Sequence, residues 1–579
     1  MVSRHDQHGL SRPGTVVHLP RAGLRPELDG WETMGRMPRP ALPRSVAEVL
    51  DPVLERDPDR LVLLTRSARW SYAELDRQAD AAAAALTAVG VTAGDRVAAA
   101  LPNDADIVSS FHGAMRIGAV WVGLNRALAP PEKAYILRDS GATFLLCETD
   151  TANQLERDDL GLAGLHRMVV GTGPEGQEWR SVLEASAGTP RPSRVDPELP
   201  AALAYTSGTT GHPKGAVHSQ HNLLVPGAVL VASRGYGPEL RKGDCFPLTI
   251  LNMHVLTTLL VAQAGGCSVI MDRLDAAGVA AWIRDHKVTI WNGPPALVYS
   301  LAHDPSIDPA DLASLHEVWT GGADCPESLR AAFADRFGLP VLTTYGLTEA
   351  PTVVSIDPRG GEHRPGASGR PLPHLRVLVR DDEGNEVSTA ETGEICLRAQ
   401  DEGSWAALYR PPLGYWQRPE ASEDLLRGGV VHTGDIGSVD ADGYLHVRDR
   451  RNQMIIRGGA NVYPAEVERV LQAAPGVEAC AVFGTPDERL GERVAAAVQV
   501  AVGAQVSVED LTRHCSSELA RYKVPEQFVF VESFVRNAMG KIDRRHLGEM
   551  TAGLGGPRSA SPVDHPQAPE DPAQDPTRG

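Results

Sequence analysis

Residues 204–219, AYTSGTTGHPKGAVHS, set four hydroxyl side chains, Thr206, Ser207, Thr209 and Thr210, among Gly208, Gly211 and Gly215, with Lys214 near the end. Glycines let backbone N–H groups converge, hydroxyls add donors and a lysine adds a point charge, so the pattern suits a polyphosphate cradle. It differs from the G-x4-G-K-[ST] loop, because Pro213 precedes Lys214 and Gly215 follows it. Alone, the same text also describes an exposed hairpin tip. Residues 343–350, TTYGLTEA, place an aromatic ring beside a hydroxyl and a carboxylate, a set able to stack a base, contact a phosphate and hold a hard cation such as Mg2+. Residues 432–449, HTGDIGSVDADGYLHVRD, hold Asp435 in a tight turn between strand-like segments, where it can accept hydrogen bonds from ribose hydroxyls. Taken singly, Asp435 also fits an Asx turn and Glu349 a solvated loop acid. Both bland readings holding beside a phosphate loop is a much narrower coincidence.

These residues must be carried by a layered α/β fold, because helical and strand patterns alternate along the chain. An apolar strand, AALAY, leads into the hydroxyl-rich loop. Residues 71–90 predict a helix, with Ser71 as N-cap, Glu74 three positions on, an Ala/Leu face and Gly90 as its stop. DRVAAALPN (95–103) is a short apolar run, GAMRIGAVW (113–121) leads into the next unit, and strands are expected at 268–272, 288–291, 315–320 and 340–343. From about 365 the text is rich in strands and turns, and near 451 a second, smaller α/β unit begins. There RRNQMIIRGGANVYPAEVERVLQ gives a strand, a Gly-Gly turn and a helix opened by Pro464. CAVFGTPD, RVAAAVQVAVG and EQFVFVESF then give strands around the helix VEDLTRHCSSELA.

The chain has 579 residues, 42% hydrophobic and 22% charged, enough to bury a large core without staples. Lys and Arg number 56 against 74 Asp and Glu, a net charge of -18 that repels nucleic-acid backbones and anionic lipid over most of the surface. Nucleic-acid binding is therefore not expected. The seven cysteines are scattered without a CxxC pair, which argues against a zinc ribbon or a disulfide framework and suits a cytoplasmic protein. The scattered histidines show no ligand spacing beyond the i, i+3 pair His218 and His221, so no structural zinc is expected. No window approaches the roughly 20 apolar residues of a membrane span, and the first 40 residues lack a signal-peptide core. Residues 549–579, dominated by Pro, Ala, Gly, Ser and Asp, are expected to be disordered.

With these motifs in order, residues 44–548 resemble the adenylate-forming superfamily of acyl-CoA synthetases, luciferases and peptide-synthetase adenylation domains. The resemblance is carried by WSYAELDRQADAAAAALTAVGVTAGDRVAAALPN, YTSGTTGHPKG, TGGAD (320–324), YGLTEA, TGEICLRA, GYWQRPEAS (414–422), HTGD, RDRRNQMIIRGGANVYPAEVE and NAMGKIDRR (537–545). It implies a large multi-subdomain N-terminal α/β domain, 44–450, and a smaller mobile C-terminal α/β lid, 451–548, flanked by an extended or disordered segment 1–43 and the tail 549–579. It further implies that Thr206 to Gly211 (Thr206, Ser207, Gly208, Thr209, Thr210, Gly211) and Lys214 meet the ATP phosphates. Gly322, Ala323, Tyr345 and Gly346 would meet the nucleotide, with Tyr345 stacked on adenine. Thr348 would contact phosphate, Glu349 would bind Mg2+, and Asp435 and Arg450 would hold the ribose. Lys541 would be the catalytic lysine, and Gly458 and Gly459 would line a tunnel for the pantetheine arm of coenzyme A.

The implied reaction is ATP-dependent activation of a carboxylic acid as acyl-AMP, followed by thioester formation with CoA. An acyl-AMP ligase that loads a carrier protein would keep the same motifs. A stand-alone amino-acid adenylation enzyme would need an acid to pair the substrate amine, and residues 246–265, FPLTILNMHVLTTLLVAQAG, contain none. That neutral, apolar stretch favours a fatty or aromatic acid. A protein that kept the fold only as a scaffold would be expected to have lost Lys541 or Glu349. Three positions depart from the family pattern. Gln453 stands at the hinge where Asp or Lys is usual, and Val535 where Pro is common. The usual P-x-F-H element reads PLTILNMH (247–254), leaving open whether His254 takes the gating role. GTGPEG (171–176) fits G-x-G-x-x-G after a strand-like RMVV, but no amphipathic helix is expected after it, so it reads as a surface turn.

Overall fold

The computed structural model describes residues 42–547 except 157–159, 172–176, 190, 192–193, 207–212, 322–324, 351, 360–362, 451–452, 454, 458–459, 463, 488–490, 520, 537–541 and 543–546. The expected terminal segments therefore lie almost wholly outside the described residues. The described strands form sheets of nine, seven, four and five strands, giving a large N-terminal and a smaller C-terminal α/β domain.

The seven-stranded sheet has a parallel body built from Arg96–Ala100, Val120–Gly123, Phe144–Cys147, His166–Val169 and Pro200–Thr206. Its strands are continuous Ala, Val and Leu runs, as expected where helices cover both faces. Lys214–Ser219 turns back antiparallel on Pro200–Thr206, and Gly414–Tyr415 adds the outer edge. The nine-stranded sheet contains the parallel strands Cys267–Ile270, Ile290–Asn292, Glu317–Gly321 and Val341–Leu347, so the four expected strands are present with their ends shifted by a few residues. The antiparallel four-stranded sheet ends at Arg450, and the next strand, Ile455–Arg457, belongs to the five-stranded sheet.

The helix expected at 71–90 forms at Tyr72–Ala88. Ser71 Oγ accepts from the Glu74 N–H at 3.2 Å, and Glu74 returns the bond to the Ser71 N–H at 2.6 Å, closing a capping box. Its small face lets a second helix, Ala105–Arg116, come close. A Cβ on Gly113 would lie 2.7 Å from the Ala82 Cβ, so only glycine fits there. This second helix escaped the sequence reading because every residue but Asp106 is buried, which erases the polar stripe that marks a surface helix. The helices expected in the smaller domain form at Pro464–Gln472 and Val508–Glu518.

One expectation is corrected. An amphipathic helix, Gln177–Ala185, does follow GTGPEG. Its buried side rests on Trp179 with Val182 and Leu183, too few positions to stand out in nine residues. Residues 172–176 lie outside the described residues. The preceding strand, His166–Val169, is an outer edge of its sheet, away from the interior switch point where α/β sheets bind nucleotides. Among the described residues no helix is long and apolar enough to cross a membrane. All seven cysteines are free and buried.

Candidate functional site

Pairing of Thr206 with Lys214 across the antiparallel strands brings the two ends of the hydroxyl-rich loop face to face. The loop itself, with Ser207, Gly208, Thr209, Thr210 and Gly211, lies outside the described residues, as do Gly322, Ala323, Gly458, Gly459 and Lys541. Thr206 and Lys214 are half-buried. The Lys214 ammonium sits 5.5 Å from the centroid of the Tyr415 ring. Tyr415 is held there by its strand pairing with Ala216, and the Trp416 N–H donates to the Gly215 carbonyl at 2.8 Å. The Tyr415 hydroxyl donates to Glu349 Oε1 at 2.8 Å. One aromatic side chain thus joins the lysine that follows the hydroxyl-rich loop to the Glu349 carboxylate.

TTYGLTEA is reached by a second link. His218 Nε2–H donates to the Thr348 carbonyl at 2.8 Å, and burial pushes this imidazole down to about 4, so it is neutral near pH 7. The strand after the phosphate loop therefore fixes the backbone beside Glu349. Within TTYGLTEA itself, Thr344 Oγ1 donates to the Thr320 carbonyl of the neighbouring strand at 3.1 Å. A Cβ on Gly321 would lie 2.2 Å from Thr344 Oγ1, so the residue after Thr320 in TGGAD must be glycine for the strands to pass this close.

Tyr345 and Asp435, read from separate motifs, meet directly: the Tyr345 hydroxyl donates to Asp435 Oδ2. Asp435 is 4% exposed, and its side chain reaches across to this ring, beyond the local contacts of an Asx turn. The turn that presents it is braced from below. Gly434 adopts φ 70°, a left-handed conformation that favours glycine. The Gly434 N–H donates to Glu394 Oε1 at 3.2 Å, and the Thr433 hydroxyl donates to the Ile395 carbonyl at 2.7 Å. His432 Nδ1 lies 3.0 Å from Glu394 Oε2, and its Nε2–H donates to the Arg427 carbonyl at 3.2 Å. Cys396 completes a cluster with Glu394 and His432 whose ligand-type atoms lie within 4.8 Å of one another. Burial pushes its thiol up to about 12, so it keeps its proton. With Glu394 engaged by the HTGD backbone, the cluster serves as a brace for that turn. Arg450 is the backbone partner of Asp435 in the adjoining strand.

His254 is placed elsewhere. It is fully buried, stacked on Phe111 at 4.1 Å and edge-on to Trp121, and burial pushes it down to about 3. That is a core position. Sequence reasoning missed Tyr415, His218 and Glu394, although GYWQRPEAS and TGEICLRA were quoted as motifs. Their roles arise from pairings between segments far apart in the chain.

The Glu349 carboxylate is the type of oxygen ligand that a hard cation takes. Glu349 is half-buried and offers carboxylate oxygen, with one oxygen held by the Tyr415 hydroxyl. Glu349→Gln is expected to raise the Mg2+ concentration for half-maximal adenylation about tenfold, since it removes an anionic ligand without changing shape. A rate that falls with unchanged metal dependence would make Glu349 structural instead.

Residues 50–402 match the family model described as AMP-binding enzyme, and residues 466–541 match the AMP-binding enzyme C-terminal domain. The chain is 35% identical over 489 residues to the long-chain-fatty-acid–CoA ligase FadD13 of Mycobacterium tuberculosis, covering 83% of this chain and 93% of that relative. It is 33% identical over 503 residues to the fatty acid–[acyl-carrier-protein] ligase ScoC of Streptomyces coeruleorubidus, covering 85% and 94%. Among solved structures it is similar to the anthranilate CoA ligase AuaEII in complex with anthranoyl-AMP, with a TM-score of 0.81 and 27% identity over 90% of this chain and all of that one.

Proposed function

Because the chain belongs to the AMP-binding enzyme family and is an AMP-forming acid–CoA ligase, we propose that it activates a fatty or aromatic carboxylate as acyl-AMP and then transfers the acyl group to coenzyme A. The observation that carries this reading is the contact chain from Lys214 through Tyr415 to Glu349, with Tyr345 and Asp435 joined beside it. The residues read as meeting polyphosphate, cation and ribose thereby fall on neighbouring elements, which supports the reading.

A carboxylate is a poor electrophile, and adenylation overcomes this. A carboxylate oxygen attacks the ATP α-phosphorus, the bond from that phosphorus to the bridging oxygen breaks, and pyrophosphate leaves. Protein groups contribute positioning and charge neutralisation more than covalent chemistry. Thr206 to Gly211 and Lys214 hold the β- and γ-phosphates, Tyr345 and Gly346 meet the adenine, Thr348 contacts phosphate, and Asp435 with Arg450 holds the ribose. Lys541 neutralises charge that builds on the α-phosphoryl oxygens. Mg2+, held by Glu349, would supply further neutralisation of the phosphate oxygens when bound. In the second step the CoA thiolate attacks the acyl carbonyl and AMP leaves. The lid would exchange Lys541 for the Gly458–Gly459 turn by pivoting at Gln453, an exposed residue between the strand ends Arg450 and Ile455.

The neutral stretch 246–265 supports an apolar acid, and the similarity to a fatty-acid ligase and an anthranilate ligase supports both chemical classes named. A carrier-protein thiol is a second acceptor worth testing, because ScoC is named as a carrier-protein ligase. A cytoplasmic location belongs to the same proposal and is supported by seven free cysteines. The test is a panel of fatty, aromatic and amino acids scored by pyrophosphate release with CoA, with a phosphopantetheinylated carrier, and with neither. A CoA-stimulated signal with apolar acids supports the reading. A response to amino acids alone, or stimulation by the carrier alone, would overturn it.

A further inference from the structure

Outside every motif residue named above, a cluster on the helix Pro130–Ser140 grips both stems of the phosphate loop. The helix is sharply bounded, with prolines in its first turn and Gly141 in a left-handed C-cap at φ 63°. Asp139 stands in its last turn, where a carboxylate opposes the helix dipole. Only 9% of its side chain is exposed, and both oxygens are engaged. Oδ2 accepts from the Tyr205 hydroxyl at 2.8 Å, and Oδ1 pairs with the Arg418 guanidinium. Tyr205 is the residue before Thr206, on the first stem. Four positions before Asp139 on the same helix, the Tyr135 hydroxyl donates to the carbonyl of Pro213, the residue before Lys214 on the second stem, at 3.1 Å. Arg418 belongs to the turn that carries Tyr415, and its own N–H donates to the Tyr415 carbonyl at 3.2 Å.

A site is only as well placed as the elements that support it, so a contact that holds both Tyr205 and the carbonyl of Pro213 bears on whatever their connection binds. Tyr205 also packs close against the opposite stem, since a Cβ on Gly215 would lie 3.1 Å from the Tyr205 Cζ. The Asp139–Arg418 pair is neutral overall, which offsets the repulsion that the Asp139 carboxylate would exert on a polyphosphate. We propose that Asp139 is a positioning residue for adenylation, setting the phosphate loop and the Tyr415–Glu349 contact relative to each other and so determining affinity for ATP. The proposal rests on reading Thr206–Lys214 as the nucleotide-phosphate loop.

The test measures acid-dependent ATP–pyrophosphate exchange in the full chain for Asp139→Asn, Tyr205→Phe and the double variant, with KM for ATP and for the acid determined separately. Asp139→Asn is expected to raise KM for ATP about tenfold and Tyr205→Phe about threefold, with KM for the acid within about twofold. Because the two side chains act through one contact, the double variant is expected to match Asp139→Asn, without multiplication of the two effects. Equal rises in both KM values, independent effects, or a lowered melting temperature with unchanged KM for ATP would overturn the proposal. Tyr205→Phe keeps its ring packing, so it decides the matter even if Asp139→Asn folds poorly. Absence of acid-dependent exchange in the unmodified protein would instead refute the functional reading on which the proposal stands.

Discussion

Lys541→Ala is expected to lower acid-dependent adenylation about 10²- to 10³-fold while leaving thioester formation from a supplied acyl-adenylate within about threefold. The two half-reactions ask for different groups. In the first, negative charge builds on the phosphoryl oxygens around the α-phosphorus, and an ammonium placed there stabilises the transition state more than the ground state. In the second, the bond that breaks joins the acyl carbon to AMP, and under the proposed lid rotation Lys541 would be away from it. Rapid-quench assays of each half-reaction, with the acyl-adenylate added directly in the second, separate the effects. Equal losses in both would mean that Lys541 stays in the site throughout, contrary to a lid with two working positions.

Asp435→Asn is expected to raise KM for ATP about 10- to 100-fold, with KM for the acid nearly unchanged. A hydrogen bond to a buried charged acceptor is worth about 1.5–3 kcal/mol, which is that range of affinity. Asparagine keeps the shape of the side chain and one carbonyl oxygen for the Tyr345 hydroxyl. It removes the anionic acceptor offered to the ribose. Tyr345→Phe provides the contrast, since it removes the contact with Asp435 but keeps the ring proposed to stack on adenine, and a smaller rise of about threefold is expected. If Asp435→Asn lowers the melting temperature but leaves KM for ATP unaltered, Asp435 is a structural acid.

The candidate site residues stand out in the sequence because the chemistry proposed for each is carried within a few neighbouring positions: glycines and hydroxyls before a lysine, a carboxylate after an aromatic ring, an aspartate in a turn. The capped helix at Tyr72–Ala88 was legible for the same reason, since Ser71 and Glu74 hold its start between them. What joins those motifs was not legible. Tyr345 and Asp435 are 90 positions apart. Tyr415 reaches Glu349 only because Gly414–Tyr415 pairs with the strand after the phosphate loop. His218 looked like one of several scattered histidines until the fold placed it against Thr348. The helix Ala105–Arg116 was hidden by the uniformity of its burial, and Gln177–Ala185 by the brevity of its apolar face.

Activation of the acid through AMP is reversible in the absence of a thiol, so isotope exchange reads it without the second step. With labelled pyrophosphate, ATP, Mg2+ and one apolar acid but no thiol, label is expected to enter ATP only when the acid is present. Addition of CoA is then expected to yield one AMP for each thioester formed. Exchange that ignores the acid, or ADP formed in place of AMP, would contradict the account.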